Sequence, residues 1–535
     1  MLPSMINTPR SYGAMAVAPH HLAAQSATAV MREGGNAIEA MIAAAASIAV
    51  VYPHMNGIGG DSFWIIVPPG GEPIAIDACG PAALAASIAA YKERGCAAIP
   101  IRGPLAANTV AGTIGGWHCA QGLAAELGGK LPLSRLLRDA IGYAHNGVPV
   151  TRSQELATRN KLPELKDQPG FTQQFLINGA LPLAGQRFLQ PRMAKTLERL
   201  VADGLDSYYR GALAADIAQD LADVGSLVGR EDLQRYAAAR KVPLHLDHSA
   251  GDLYNMTPPT QGVISLAILG LLDRAGLEAV EADSADHVHL VVEATKLAFG
   301  LRDKHVTDPV YMQLPAQSLL AAQDLDTLAR RIDLAQAAPW GKGRGPGDTI
   351  WMGTIDQDGM AVSFIQSIYH EFGSGVVLPR TGINWQNRGA SFSLDEKALL
   401  ALAPGKKPFH TLNPAAARLK DGRVMVYGTM GGDGQPQTQA AVFTRHVVFG
   451  QPLQTAVSAP RWLLGRTWGQ STDSLKLEQR FAPEVVDELR RRGHEVEMLA
   501  EYDETVGHAG ALVRHPDGLL EGASDPRSDG MVSAF

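Results

Sequence analysis

The chain has 535 residues, 46% hydrophobic and 19% charged, enough to bury a large core and too many for one small domain. Its 47 basic and 54 acidic residues leave a formal net charge of -7, and neither sign gathers into a long block, which argues against a nucleic-acid partner. Cys79, Cys96 and Cys119 are odd in number and fit neither a CxxC arrangement nor a zinc spacing; three buried thiols are expected, with no disulfide framework, metal or cofactor.

The opening segment, MLPSMINTPRSYGAMAVAPHHLAAQ, lacks the basic region, apolar stretch and cleavage site of a signal peptide. The longest apolar run, AMIAAAASIAVVY at 40 to 52, is too short to span a bilayer, so a soluble, cytoplasmic protein is expected. Residues 22 to 52 read as a helix, a break at Gly34-Gly35, and a second helix so apolar that it should be buried on all sides. After the glycine turn at 57 to 60, FWIIV and PIAID flank PPGGE as a hairpin. LPLSRLLRDAIGYAHNG reads as a helix ended by Gly147, and residues 192 to 224 and 284 to 304 as further helices. From 349 onward the pattern turns to strands: TIWMGTI, MAVSFIQSI, AAARL and VMVYGTM. An α-rich part thus precedes a β-rich one, and the glycine-rich stretch 337 to 347 between them should be an exposed, mobile loop.

Most generic chemical motifs are missing: there is no GxSxG elbow, HExxH or GxxxxGK[ST] loop. GIGGDS (57 to 62) and GTMGGDG (428 to 434), taken alone, are turns or close backbone approaches. His289 and Glu293 lie four apart on a helix, but with no obvious third ligand they read as polar neighbours on an apolar face. Thr349 is a conditional candidate. A threonine hydroxyl needs a base, and the residue's own α-amino group would serve if the Asp348-Thr349 bond were cut. Such a group has a reference pKa of about 7.7 to 8.0, so a sizeable fraction is neutral near physiological pH.

Read together, GGNAIEAMIAAAASIAVVYPHMNGIGGDSFWIIV (34 to 67), NTVAGTIGGW (108 to 117), MTPPTQGVISL (256 to 266), HLVVEATKLAFGLRDKHVTDP (289 to 309), GDTIWMGTIDQDGMAVSF (347 to 364), PGKKPFHTLNPA (404 to 415) and GTMGGDGQPQTQAAV (428 to 442) resemble, in order, the γ-glutamyltranspeptidase family. The resemblance implies an α+β N-terminal nucleophile (Ntn) hydrolase fold, a four-layer αββα sandwich, formed jointly by two subunits that a proenzyme makes by cutting itself. Those subunits would be residues 1 to 348 and 349 to 535, staying together after the cut, with a homodimer of such pairs as one allowed assembly. It also implies Thr349 as nucleophile, Ser367 as the assisting hydroxyl, and the Gly431 and Gly432 amides as the oxyanion hole.

The substrate half departs from the family pattern. Cys79 stands where the resemblance implies a carboxylate-binding arginine, and INWQNRGASF (383 to 392) has Arg388 but no acid to grip an α-amino group. Tyr369 replaces an asparagine, and His410-Thr411 replace a serine pair. Tyr369 would fill the space of a glutamyl chain, while Arg388, His410 and Thr411 could donate hydrogen bonds to a small carboxylate. The alternative for Arg388 is an ion pair with Asp395. The set resembles a branch of the family that hydrolyses oxamate to oxalate and ammonia in purine catabolism. Other expectations left open are hydrolysis or transfer of γ-glutamyl compounds, a glutaryl acylase, and a non-catalytic binding protein.

Overall fold

The computed structural model describes residues 7–341, 348–465 and 472–535, Asp348 by its backbone alone. Two seven-stranded sheets form its centre. The first runs, edge to edge, through Met531–Ala534, Met15–Ala18, Asp348–Ile355, Ala361–Tyr369, Asp61–Val67, Ile74–Ala78 and Ala239–Lys241. The second runs through Arg10–Ser11, Leu520–Ser524, Ala509–Arg514, Val424–Thr429, Ala415–Leu419, Gly251–Asn255 and Leu244–His248. Each sheet therefore draws strands from both sides of the 348/349 junction.

Phe63, Ile65, Trp351, Ile365, Val426 and Leu512 interdigitate between the sheets. A Cβ added to Gly428 would lie 2.2 Å from the Trp351 ring, so the bare glycine lets the indole lie flat against the facing strand. Helices cover the two outer faces. Ala37–Val51 lies under the first sheet with all of its residues buried, as its apolar sequence predicts. Its start is fixed by a capping box between Asn36 and Glu39, and the Asp356 carboxylate accepts from the Ala37 amide at 2.8 Å. Gly262–Leu272, Ala285–His305 and Gly434–Phe443 cover the second sheet.

The hairpin at 61 to 78 and the strands after 349 form as expected. Other expectations need correction. The helix ended by Gly147 is two pieces, Leu133–Leu136 and Arg138–Asn146, and the 192 to 224 region is three, interrupted at Gly204 and Gly211. The β-rich part also contains Gly434–Phe443 and Pro483–Arg491 as helices. Cys79 is buried, but Cys96 and Cys119 are only half-buried. Most of the expected loop at 337 to 347 lies outside the described residues. No described helix is long and apolar enough to cross a membrane.

Candidate active site

Three adjacent strands of the first sheet bring their ends to one place. Asp348 faces Tyr369 and Ile350 faces Gln366, so Ser367 and Ile368 together oppose Thr349. This bulge gives the central strand one extra residue and turns its end out of the ladder. Ser367 in turn pairs with Asp61 on the next strand, which puts Thr349, Ser367 and Asp61 in one row. Paired residues project to the same face of a sheet. All three are buried.

The bulge ends at Tyr369, a non-glycine residue at φ 81°, whose amide donates to Ser367 Oγ at 2.8 Å. A bulky side chain in that region is strained, and here the strain aims the ring. Above it lies the Arg388 guanidinium, 3.5 Å from the ring centroid. Arg388 is 1% exposed, and its Nε and both terminal nitrogens find no hydrogen-bond partner among the described residues. Burial lowers its pKa against the opposing pull of Tyr369, Cys79, Asp61 and Asp433. The alternative ion pair with Asp395 is not formed: Asp395 is exposed. A cation stripped of water and without acceptors is costly unless an anion completes it.

Asp61 opens the Asp61–Val67 strand, and its carboxylate is spoken for. Oδ1 accepts from the amides of Gly80 and Gly112, each at 3.0 Å, while Oδ2 meets His410 Nε2 at 2.9 Å. Burial raises its pKa to about 7, against the lowering effect of the Gly80 amide, the Gln386 side chain, the Gly112 amide and Arg388. Burial, then Arg388, hold the His410 pKa well below its ordinary value, so the ring is neutral. An ionised Asp61 can only accept, so His410 Nε2 carries the proton and Nδ1 is a lone pair. This Nδ1 and the Thr411 hydroxyl have no partner among the described residues. The expected donation from His410 to a carboxylate is therefore overturned for the ionised pair, because its only N–H is already used.

Gly431 and Gly432 lie at φ 113° and 52°, before the helix Gly434–Phe443. Positive φ at two successive residues is a conformation that glycine adopts without a Cβ penalty. Gln261 joins this turn to the other side of the site: its Nε2 donates to Gly432 O at 2.9 Å and to Thr411 O at 3.1 Å, and its amide to His410 O at 2.9 Å. A cleft of about 180 Å³ lined by Met55, Ser153, Glu371, Met430 and Glu504 borders the glycine turn through Met430.

Two groups of side chains have the spacing to hold a metal: Asp61, Cys79 and His410, and His289, Glu293 and His494. The second supplies the third ligand that spacing alone left out, but Lys296 Nζ sits 2.7 Å from Glu293 Oε1, and both nitrogens of His289 are engaged. In the first, burial pushes the Cys79 thiol up and keeps it protonated, Asp61 is already saturated, and Arg388 stands nearby. Neither donor set suits a cation. Asp61 and Gln261 were within quoted motifs but not singled out; a carboxylate heading the otherwise apolar run DSFWIIV was the available signal.

A family model described as Gamma-glutamyltranspeptidase matches residues 23–535. The chain belongs to that family. The oxamate amidohydrolase proenzyme of Klebsiella pneumoniae is 63% identical over 97% of this chain and 98% of its own length. The glutathione hydrolase-like YwrD proenzyme of Bacillus subtilis is 37% identical over 96% and 97%. Among solved structures, the cephalosporin acylase from Bacillus halodurans superposes with a TM-score of 0.91 at 33% identity, covering 100% of this chain and 98% of that one. The fold is thus the Ntn-hydrolase sandwich of this γ-glutamyltranspeptidase family, as the sequence resemblance implied.

Proposed function

We propose that the protein is a self-processing amidohydrolase that cuts its own chain between Asp348 and Thr349 and then hydrolyses oxamate to oxalate and ammonia. The observation that carries the substrate choice is the Arg388 guanidinium, buried beside the Thr349 row and without a hydrogen-bond acceptor among the described residues. It can hold one carboxylate through two parallel hydrogen bonds. The Tyr369 ring covers one face of the guanidinium and leaves its in-plane N–H groups to an acid, and the likeness to the Klebsiella oxamate amidohydrolase supports the same reading.

In this mechanism the Thr349 α-amine takes the proton from Oγ as Oγ bonds to the carboxamide carbon. The Gly431 and Gly432 amides hold the oxyanion, and fixed backbone donors need no reorganisation as charge develops. The C–N bond then breaks, the amine returns its proton to the departing nitrogen, and ammonia leaves an oxalyl ester on Thr349. Water attacks that ester by the same route and releases oxalate. Ser367 assists from the neighbouring strand and Thr411 offers a hydroxyl to the substrate.

The purified protein should run as two fragments on a denaturing gel, the smaller beginning at Thr349 by terminal sequencing. Ammonia release from oxamate should exceed turnover of γ-glutamyl-p-nitroanilide and of a glutaryl amide. Faster turnover of either of the latter two would overturn the substrate, and an uncut chain that turns over oxamate would overturn the nucleophile.

A further inference from the structure

We infer that Asp61 is a positioning residue that holds His410 Nδ1 as a hydrogen-bond acceptor for the carboxamide NH2 of the substrate, so that the site tells an amide from a carboxylate. This rests on the proposed reaction. Oxamate and its product oxalate share one carboxylate, which Arg388 can bind in either, and differ only at the other end. There the substrate presents N–H donors and the product presents only acceptors. A lone pair on His410 Nδ1 therefore favours substrate and repels product, and Nδ1, buried and without a partner among the described residues, is the atom available to do so.

The geometry makes the assignment specific. Oδ1 of Asp61 is fixed by two backbone amides, so the carboxyl cannot rotate away from His410, and Oδ2 alone decides which ring nitrogen carries the proton. Phe63 packs edge-on at 5.0 Å between ring centroids and holds the imidazole plane. If the carboxyl takes up a proton, Oδ2 becomes the donor to Nε2, and the neutral ring must then carry its own proton on Nδ1. One proton thus reverses the polarity that the ligand meets. The groups facing this pair are Arg388, Cys79, Tyr208, Tyr209 and Tyr236 around Asp61, and Arg388, Asp77 and Lys407 around His410. Burial pushes the Cys79 thiol and all three phenols well above their ordinary values, and Lys407 is tied to Asp77 at 2.6 Å. Asp61, raised to about 7, is the group that can make the exchange near neutral pH.

Asp61→Asn separates the possibilities, because its Oδ1 can still accept from Gly80 and Gly112 while its NH2 must donate to Nε2 and so forces a proton onto Nδ1. With maturation checked on a gel, kcat/KM for oxamate at pH 8 should fall about 100-fold, the upper part of the range for a buried donor left without an acceptor. Oxalate inhibition of the same variant should tighten by about tenfold or more. In the unaltered protein, oxalate should bind more tightly as pH drops from 8 to 6. An unchanged kcat/KM, or equal weakening toward both ligands, overturns the inference. Should the variant fail to mature, nitrogen-15 spectra of the native protein decide, with the His410 signal assigned by its loss in His410→Phe. They should report the Nε2–H form at pH 8 and the Nδ1–H form at pH 6, and a Nδ1–H form at pH 8 refutes it. A native protein inert toward oxamate would instead refute the proposed reaction, and the spectra would still report on the pair.

Discussion

His289 and His410 are both buried, each with a carboxylate close by, and they differ in what their remaining nitrogen meets. His289 uses Nδ1 on His494 and Nε2 on the Asp333 carbonyl, both at 2.8 Å. Glu293 beside it accepts from Lys296 at 2.7 Å and from the Ala338 amide at 3.1 Å. Around His410 the accounts stay open: its Nδ1, the Thr411 hydroxyl and three Arg388 nitrogens have no partner among the described residues. Buried polar groups are normally paired, so this cluster of unpaired ones on neighbouring segments supports the proposed ligand site. The closed cluster ties the first half of the Ala285–His305 helix to the segment before residue 341, as a structural cross-link would.

The sharpest way to break this contrast starts at the proposed nucleophile. Thr349→Ala should stay one uncut chain with no amidase activity above background; two normal fragments from it would remove the nucleophile from the account. Next, Arg388→Ala should lower kcat/KM for oxamate by about 10² to 10³, mostly through KM, the range for losing a buried charge partner. Arg388→Lys should recover part of that loss, as it keeps the charge without the planar fork. Gln261→Ala should lower kcat by about tenfold, because it frees the glycine turn from the Thr411 segment and removes the side-chain donor from the buried Thr411 carbonyl, while Gly432 O keeps the Gln435 amide. At the small end, His289→Ala should leave kcat and KM unchanged and lower Tm by a few degrees. An activity loss in that variant would erase the distinction between the two histidines.

Stability adds a prediction with a definite sign. The folded pKa of Asp61 lies above its ordinary 3.8, at about 7, so the folded state binds that proton more tightly. The resulting stabilisation is complete below about pH 4 and is lost as pH rises through about 7. Buried neutral histidines such as His54 act in the opposite direction, because their pKa is depressed to about 3 by burial. The difference in Tm between the native protein and Asp61→Asn isolates the carboxyl: it should shift in favour of the variant between pH 6 and pH 8. A pH-independent difference would mean that Asp61 does not titrate there.

Much of the framework was legible because it depends on local rules. The apolar helix at 37 to 51, its GGNA entry and the hairpin around PPGGE follow from periodicity, capping and turn chemistry. The proposed nucleophile end, Thr349 with Ser367 and the Gly431-Gly432 pair, came from the family resemblance, and the bulge that sets Ser367 and Ile368 against Thr349 was not read from the sequence. The ligand end was only half legible. Arg388 stood out as a cation, but its direction depends on Tyr369, nineteen residues away and in a backbone conformation that no propensity predicts. The role of His410 could not be read without Asp61, because the two meet across 349 residues and the protonated nitrogen is set by that meeting. His494 was hidden for the same reason, being 205 residues from His289.

The interleaving of the first sheet bears on how such a protein could arise and be handled. The Asp348–Ile355 strand lies between Met15–Ala18 on one side and Ala361–Tyr369 on the other, and the latter is itself flanked by Asp61–Val67. A cut before Thr349 would therefore change the connectivity of the chain without opening any surface along which its halves could part. Neither half holds either of the two seven-stranded sheets complete. Genes encoding the two pieces separately should give insoluble products unless both are made together, and grafting one half onto a distant relative would have to reproduce every strand register at once.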